Sequence, residues 1–181
     1  KSLTYLTDCQ PIMLDEQTFL VGEDGWGDGT HGDFANSHVQ LNDFRLIKDF
    51  RQLQGDQWLS EMVRLGEESA DRLSQKLNEL SSEARKLFVL THVPPYRKAC
   101  LYEGLPADDD WAPFFVCGQI GDVLSRFAAT RTDLQINVLC GHTHHRGDIL
   151  IAPNLRVRTA AAEYAHPRIE QVIETTKTDA H

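Results

Sequence analysis

Leu87-Phe88-Val89-Leu90-Thr91-His92-Val93-Pro94-Pro95 and Ile136-Asn137-Val138-Leu139-Cys140-Gly141-His142-Thr143-His144 are the two stretches that decide how this chain is read. Each is a short apolar run that ends in histidine. Such runs fit buried strands when turn residues close them, and the diproline stops the first at once because proline fixes φ and offers no N–H. A segment of helical spacing precedes each run, so the order is helix, strand, helix, strand, which points to an α/β sheet. In open α/β sheets the ligand crevice lies beyond the carboxyl ends of the strands. His92 should therefore meet the His142/His144 pair in space, although 50 residues separate the first two in sequence.

Upstream, Leu3 to Leu6, Ile12 to Leu14 and Thr18 to Gly22 predict short strands, the last running into the glycine-dense loop Gly22-Glu23-Asp24-Gly25-Trp26-Gly27-Asp28-Gly29. Val39, Phe44, Ile47, Phe50 and Leu53 predict a helix capped by Asn36 or Ser37. A longer helix is expected from about Asp56 to Leu80, weakened at Gly66. Residues 96 to 117 have no clear period and predict a long loop; Ile120 to Phe127 predict a helix. Asp148 to Ile151 and Leu155 to Arg158 predict a hairpin through Pro153-Asn154, followed by a last strand near Ile169 to Ile173.

Composition sets bounds on partners. The 181 residues are 41% apolar with no apolar run long enough to span a bilayer, and they fit one domain. With 27 acidic against 18 basic side chains the net charge is −9, which argues against nucleic acid or an anionic membrane as partner. A small anionic substrate then needs a local positive charge, such as a metal ion. Cys9, Cys100, Cys117 and Cys140 show no C-x-x-C pair and read as reduced, mostly buried thiols, and without a signal peptide a cytoplasmic protein is the expectation.

Two histidines at i and i+2 on a tight turn present two imidazoles to one region, and neutral imidazole is a ligand for zinc, manganese or iron. Gly141 lets the backbone turn just before them. A lone histidine after a strand is more often a hydrogen-bonded structural residue. Three histidines at two strand ends favour a metal site.

Thr91-His92-Val93-Pro94-Pro95 and Cys140-Gly141-His142-Thr143-His144 resemble the last two signature motifs of the calcineurin-like metallophosphoesterases, a strand-end His before prolines and a strand-end Gly-His-x-His. The Gly22 to Gly29 loop with Trp26 resembles a turn of bacterial members. The resemblance implies a metallo-dependent phosphatase-like αββα sandwich and hydrolysis of phosphate mono- or diesters. It implies two divalent metals (Mn, Fe or Zn) about 3.5 Å apart, bridged by an Asp and a hydroxide. His92 and His142 would ligate the second metal and His144 the first. The family's earlier motifs, Asp-x-His, Gly-Asp-x-x-Asp and Gly-Asn-His-Asp/Glu, do not occur here; Gly27-Asp28-Gly29 and Gly32-Asp33-Phe34 do not continue to the second Asp. The expectation is the C-terminal part of a longer enzyme, with a partial metal site and no catalytic group assigned in this chain.

Further candidates carry two readings each. His145 and Arg146 touch phosphate or belong to a solvated turn, and Arg97 and Lys98 steer substrate or form a surface pair. Asp28, with Asp24, His31 and Asp33, lines a substrate entrance or supplies ordinary turn chemistry. Asp108 to Asp110 reads as a solvated acidic loop, Trp111, Phe114 and Phe115 as its anchor on the core, and Tyr164 as a site-edge residue. A His-x-His pair also occurs in amidohydrolase and polymerase-and-histidinol-phosphatase barrels, but there many βα units follow it. The alternative to an enzyme is a degenerate, non-catalytic module that binds a partner through the acidic loop near residue 108. A cut sheet would also expose a strand edge that invites pairing with a second copy.

Overall fold

A computed structural model describes residues 3–175. In chain order the elements are β1 (Ile12–Met13), β2 (Thr18–Glu23), α1 (Asp43–Leu46), α2 (Asp56–Asn78), β3 (Lys86–Thr91), β4 (Leu101–Tyr102), β5 (Leu105–Pro106), α3 (Ala112–Phe115), α4 (Gly118–Thr130), β6 (Gln135–Cys140), β7 (Gly147–Ala152) and β8 (Leu155–Thr159). Six strands form one mixed sheet in the order β1-β2-β3-β6-β8-β7. The four central strands are parallel and the two edge strands antiparallel. β4 and β5 make a separate small hairpin.

Alternation along the strands explains why the sheet holds. Val21, Leu87, Val89, Ile136, Val138, Leu155 and Val157 share one buried cluster with Ala70, Leu73 and Leu77 of α2 and Ile120, Leu124 and Ala128 of α4, so both helices cover the same face. Leu20, Phe88, Leu90 and Leu139 lie at the alternate positions and stand outside that cluster. The chain is a mixed α/β fold, and no helix among the described residues is long and apolar enough to cross a membrane.

α2 runs as expected, with Met62, Gly66, Ser69, Ala70, Leu73 and Leu77 buried at three- and four-residue steps, Asp56 in its first turn and Lys76 in its last. Gly66 does more than weaken it. A Cβ there would stand 2.6 Å from Asp28 Cβ and 2.8 Å from Gln119 Nε2, so the glycine permits the loop after β2 and the start of α4 to close on the helix.

The expected long loop over residues 96 to 117 instead carries the 3-10 turn Arg97–Ala99, the β4–β5 hairpin and α3, and three further expectations differ. Leu3 to Leu6 is no strand. A single 3-10 turn, Leu6–Asp8, sits there instead, because Lys76 Nζ donates to the carbonyls of Leu6 (3.1 Å), Thr7 (2.6 Å) and Gly22 (2.6 Å), tying it to the sheet edge. Glu23, buried and bonded to Arg72 at 2.6 Å, keeps Lys76 charge-paired at 3.4 Å. The expected helix over Ser37 to Leu53 shrinks to the one turn of α1. Ser37, Val39, Asn42 and Asp43 are weak helix formers, and the apolar residues are satisfied instead by a cluster of Phe44, Phe50, Met62 and Phe114 flanked by Trp26 and Trp58. Residues 160 to 175 contain no strand; Ile169 and Val172 are exposed, with no neighbouring strand to bury them.

Candidate functional site

Register brings the histidines together. Leu90 pairs with Leu139 across β3 and β6, and Glu23 pairs with Thr91 across β2 and β3, so all these strands end on one edge. Past that edge the ladder continues: His92 N–H donates to Asp24 O at 2.8 Å and Gly141 N–H donates to His92 O at 3.0 Å. Asp24, His92 and Gly141 therefore form one row of strand-end positions.

The two imidazoles beyond this row touch. His92 Nε2 lies 3.1 Å from His142 Nδ1, with the ring centroids 4.8 Å apart and the planes at 69°. His142 packs on Phe115 at 4.4 Å, and its Nε2 is buried with no hydrogen-bond partner. Burial pushes His142 down to about 4, the neighbouring His92 and His144 add to that, and the nearby Phe114 carbonyl opposes it weakly. The ring is thus neutral at physiological pH, the state in which imidazole donates a lone pair. His142 and His144 both hold left-handed φ, 69° and 61°. For residues with a Cβ this conformation persists only where surrounding structure over-determines it, as at ligand sites.

His144 does not join the pair as a third ligand. Its ring stands edge-on to Tyr164 at 4.7 Å, and among the described residues no group of three or more His, Cys, Asp or Glu side chains is placed to hold a metal ion. His145 turns the other way, onto Tyr102 at 4.6 Å, with its Nδ1 accepting from Glu103 N–H at 3.3 Å.

The remaining candidates have structural partners. Arg97 donates from Nε to Ala107 O (2.7 Å) and pairs with Asp109 (2.7 Å), which folds the loop on itself. Arg146 pairs with Glu170. Asp28 is fully buried: one oxygen accepts from Thr30 N–H (3.0 Å) and Oγ1 (2.5 Å), the other from Gln119 N–H (2.9 Å), in the first turn of α4. It caps the helix rather than facing an entrance. Of the acidic run, Asp108 accepts from the N–H groups of Asp110 and Trp111, a turn cap.

Asp24, read from the sequence as an entrance-lining or a turn residue, has more prominence here. It occupies the strand-end row beside His92, and Tyr5 Oη donates to its carboxylate. The signal was its place immediately after a strand that pairs with the His92 strand, which single-sequence reading does not reveal.

No family model matches this chain, and no curated protein matches it.

Proposed function

We propose that the chain supplies the histidine ligands of a two-metal phosphoesterase centre built on a metallo-dependent phosphatase-like sandwich. The observation that carries this is the His92–His142 pair. Two nitrogens that share one divalent cation at the usual metal–nitrogen distance stand roughly 2.9 to 3.4 Å apart, and these stand at 3.1 Å. The buried, unpartnered Nε2 and the depressed proton affinity of His142 fit a neutral, rigidly held imidazole. In this reading His92 and His142 would hold one metal and His144 the other.

Bound metals supply Lewis-acid stabilisation and a nucleophile at neutral pH, and they offset the net negative charge toward an anionic phosphate. The chain's own part is to orient. The strand-end hydrogen bonds hold His92 against Asp24 and Gly141, the left-handed turn aims His142, and Phe115 keeps water from one side of its ring. The three imidazoles need no proton transfer to do this.

Calorimetric titration of the chain with Mn²⁺ should show uptake that His142→Ala removes. In the full-length protein, the same substitution should lower hydrolysis of bis(p-nitrophenyl) phosphate by more than the roughly 10- to 100-fold that loss of a supporting residue costs. Full activity in that variant would sink the reading. The absence of a three-ligand group among the described residues supports a second one, a non-catalytic module. Titration without any Mn²⁺ uptake, together with no hydrolysis of the ester by the unsubstituted protein, would favour it.

A further inference from the structure

A histidine that serves as a metal ligand is ordinarily oriented by a hydrogen bond from its other ring nitrogen to a carboxylate, a backbone carbonyl or water. His142 lacks that support. Its Nδ1 faces His92 Nε2 at 3.1 Å, while its Nε2 is buried with no hydrogen-bond partner among the described residues; the Phe114 carbonyl lies nearby without satisfying it. The wells for rotation about χ2 of an imidazole are broad, so something else must keep the ring turned toward its neighbour. The structure offers one wall. The Phe115 ring stands 4.4 Å from the His142 ring at a tilt of 36°, and Trp111 backs Phe115 edge-on at 5.5 Å.

That wall is itself anchored from two sides. Phe115 belongs to α3, a single turn whose Ala112, Pro113 and Phe114 are buried. On one side the loop after β2 grips it: Gly29 N–H donates to Pro113 O and Asp28 N–H to Val116 O, both at 3.0 Å. A Cβ on Gly27 would stand 2.1 Å from Phe114 O, so only glycine lets the loop pass this close. On the other side Cys117 N–H donates at 3.0 Å to the carbonyl of Pro94, two residues after His92. α3 is thus tied to the chain that follows β2 and to the chain that follows β3, while Phe115 reaches the turn that follows β6. Three strand ends meet through one ring.

We propose that Phe115 is the positioning residue of His142: its ring, carried by α3, keeps the His142 imidazole turned toward His92 in place of the missing hydrogen bond. An apolar ring cannot ligate, so Phe115 acts through His142. Its geometry stands on packing alone, and its use in holding a cation rests on the metal-centre reading.

Calorimetric titration with Mn²⁺ of the unsubstituted chain, Phe115→Ala, Phe115→Leu and Phe50→Leu tests this. Removing the wall should weaken Mn²⁺ binding roughly 10- to 100-fold, as loss of a ligand-orienting neighbour does, and Phe115→Leu, which keeps a bulky apolar wall, should recover most of it. Phe50 packs on Trp26 and Phe44 rather than on His142, so Phe50→Leu should lower the urea midpoint and leave the affinity unchanged. An affinity that Phe115→Ala leaves unchanged, or that Phe50→Leu lowers as far, overturns the inference. The metal-free chain gives a second readout in nuclear Overhauser contacts between the ring protons of His92 and His142, which should fade in Phe115→Ala and persist in Phe50→Leu. If the unsubstituted chain takes up no Mn²⁺, the metal-centre reading fails by itself and these contacts decide. Their loss in Phe115→Ala supports the positioning role, and their persistence there overturns it.

Discussion

The core under the sheet and the cluster beside its carboxyl edge are built from different residues. The first is aliphatic, with valines, leucines and isoleucines from β2, β3, β6, β8, α2 and α4. The second is aromatic: Phe44 stacks on Trp58 at 4.7 Å and 6°, Trp26 on Phe50 at 5.8 Å, and Phe114 meets Phe34 and Phe44 at 5.6 and 5.9 Å. Period-2 and period-3.6 patterns made the first core regular, since each branched side chain faces one layer. Rings of many orientations made the second core, which joins the stretch around the one-turn α1 to Trp58 and Met62 of α2 and Phe114 of α3. The aromatic cluster nonetheless reaches the site, because Phe115 packs both against it and on His142.

Phe50→Ala should have the largest effect, about 3–5 kcal/mol, since the ring is almost fully buried among aromatics. Amide exchange would show whether the difference between the regions is cooperative: faster exchange confined to residues 24–62 means two units, while loss of protection in β3 and β6 as well means one. Leu73→Ala, fully buried between α2 and the sheet, should cost about 2–5 kcal/mol in urea unfolding and loosen both regions, because the aromatic cluster leans on the same helix. Asp28→Ala should cost about 1–3 kcal/mol by leaving the Gln119 and Thr30 donors unpaired, and it tests the joint between the loop after β2 and α4.

A further effect is in pH dependence. An unfolded chain takes up a proton at His142 near pH 6.5, whereas the folded chain resists until about 4. The unfolded state therefore binds more protons in that window, and stability should fall as pH drops from 6.5 toward 4. His142→Gln should flatten this part of an acid-unfolding curve; an unchanged slope would show that the ring does not stay neutral in the folded state.

The strands around Val89 and Val138, the helix from Asp56, and the Asp148-to-Arg158 hairpin were legible because each apolar pattern matched one period and one buried face. The meeting of His92 and His142 was legible for the same reason, since parallel strands end on a common edge. The irregular stretch from Ser37 to Leu53 was not. Its three- and four-residue spacing is shared by a helix and by a segment pinned through scattered rings, and only Phe114, 70 residues after Phe44, decides between them. Nor did the sequence show that Arg97, Arg146 and Asp28 would be engaged by Asp109, Glu170 and the start of α4, or that His144 and His145 would part toward Tyr164 and Tyr102.

By itself the sequence determined the alternation of strand and helix, the acidic balance and the placing of histidines at two strand ends, because these depend on local period and composition. Tertiary structure alone decided which histidines touch, which charges are spent on partners, and which ring packs on His142. Those outcomes depend on register and long-range contacts, and a one-residue shift in register would have turned each side chain to the opposite face.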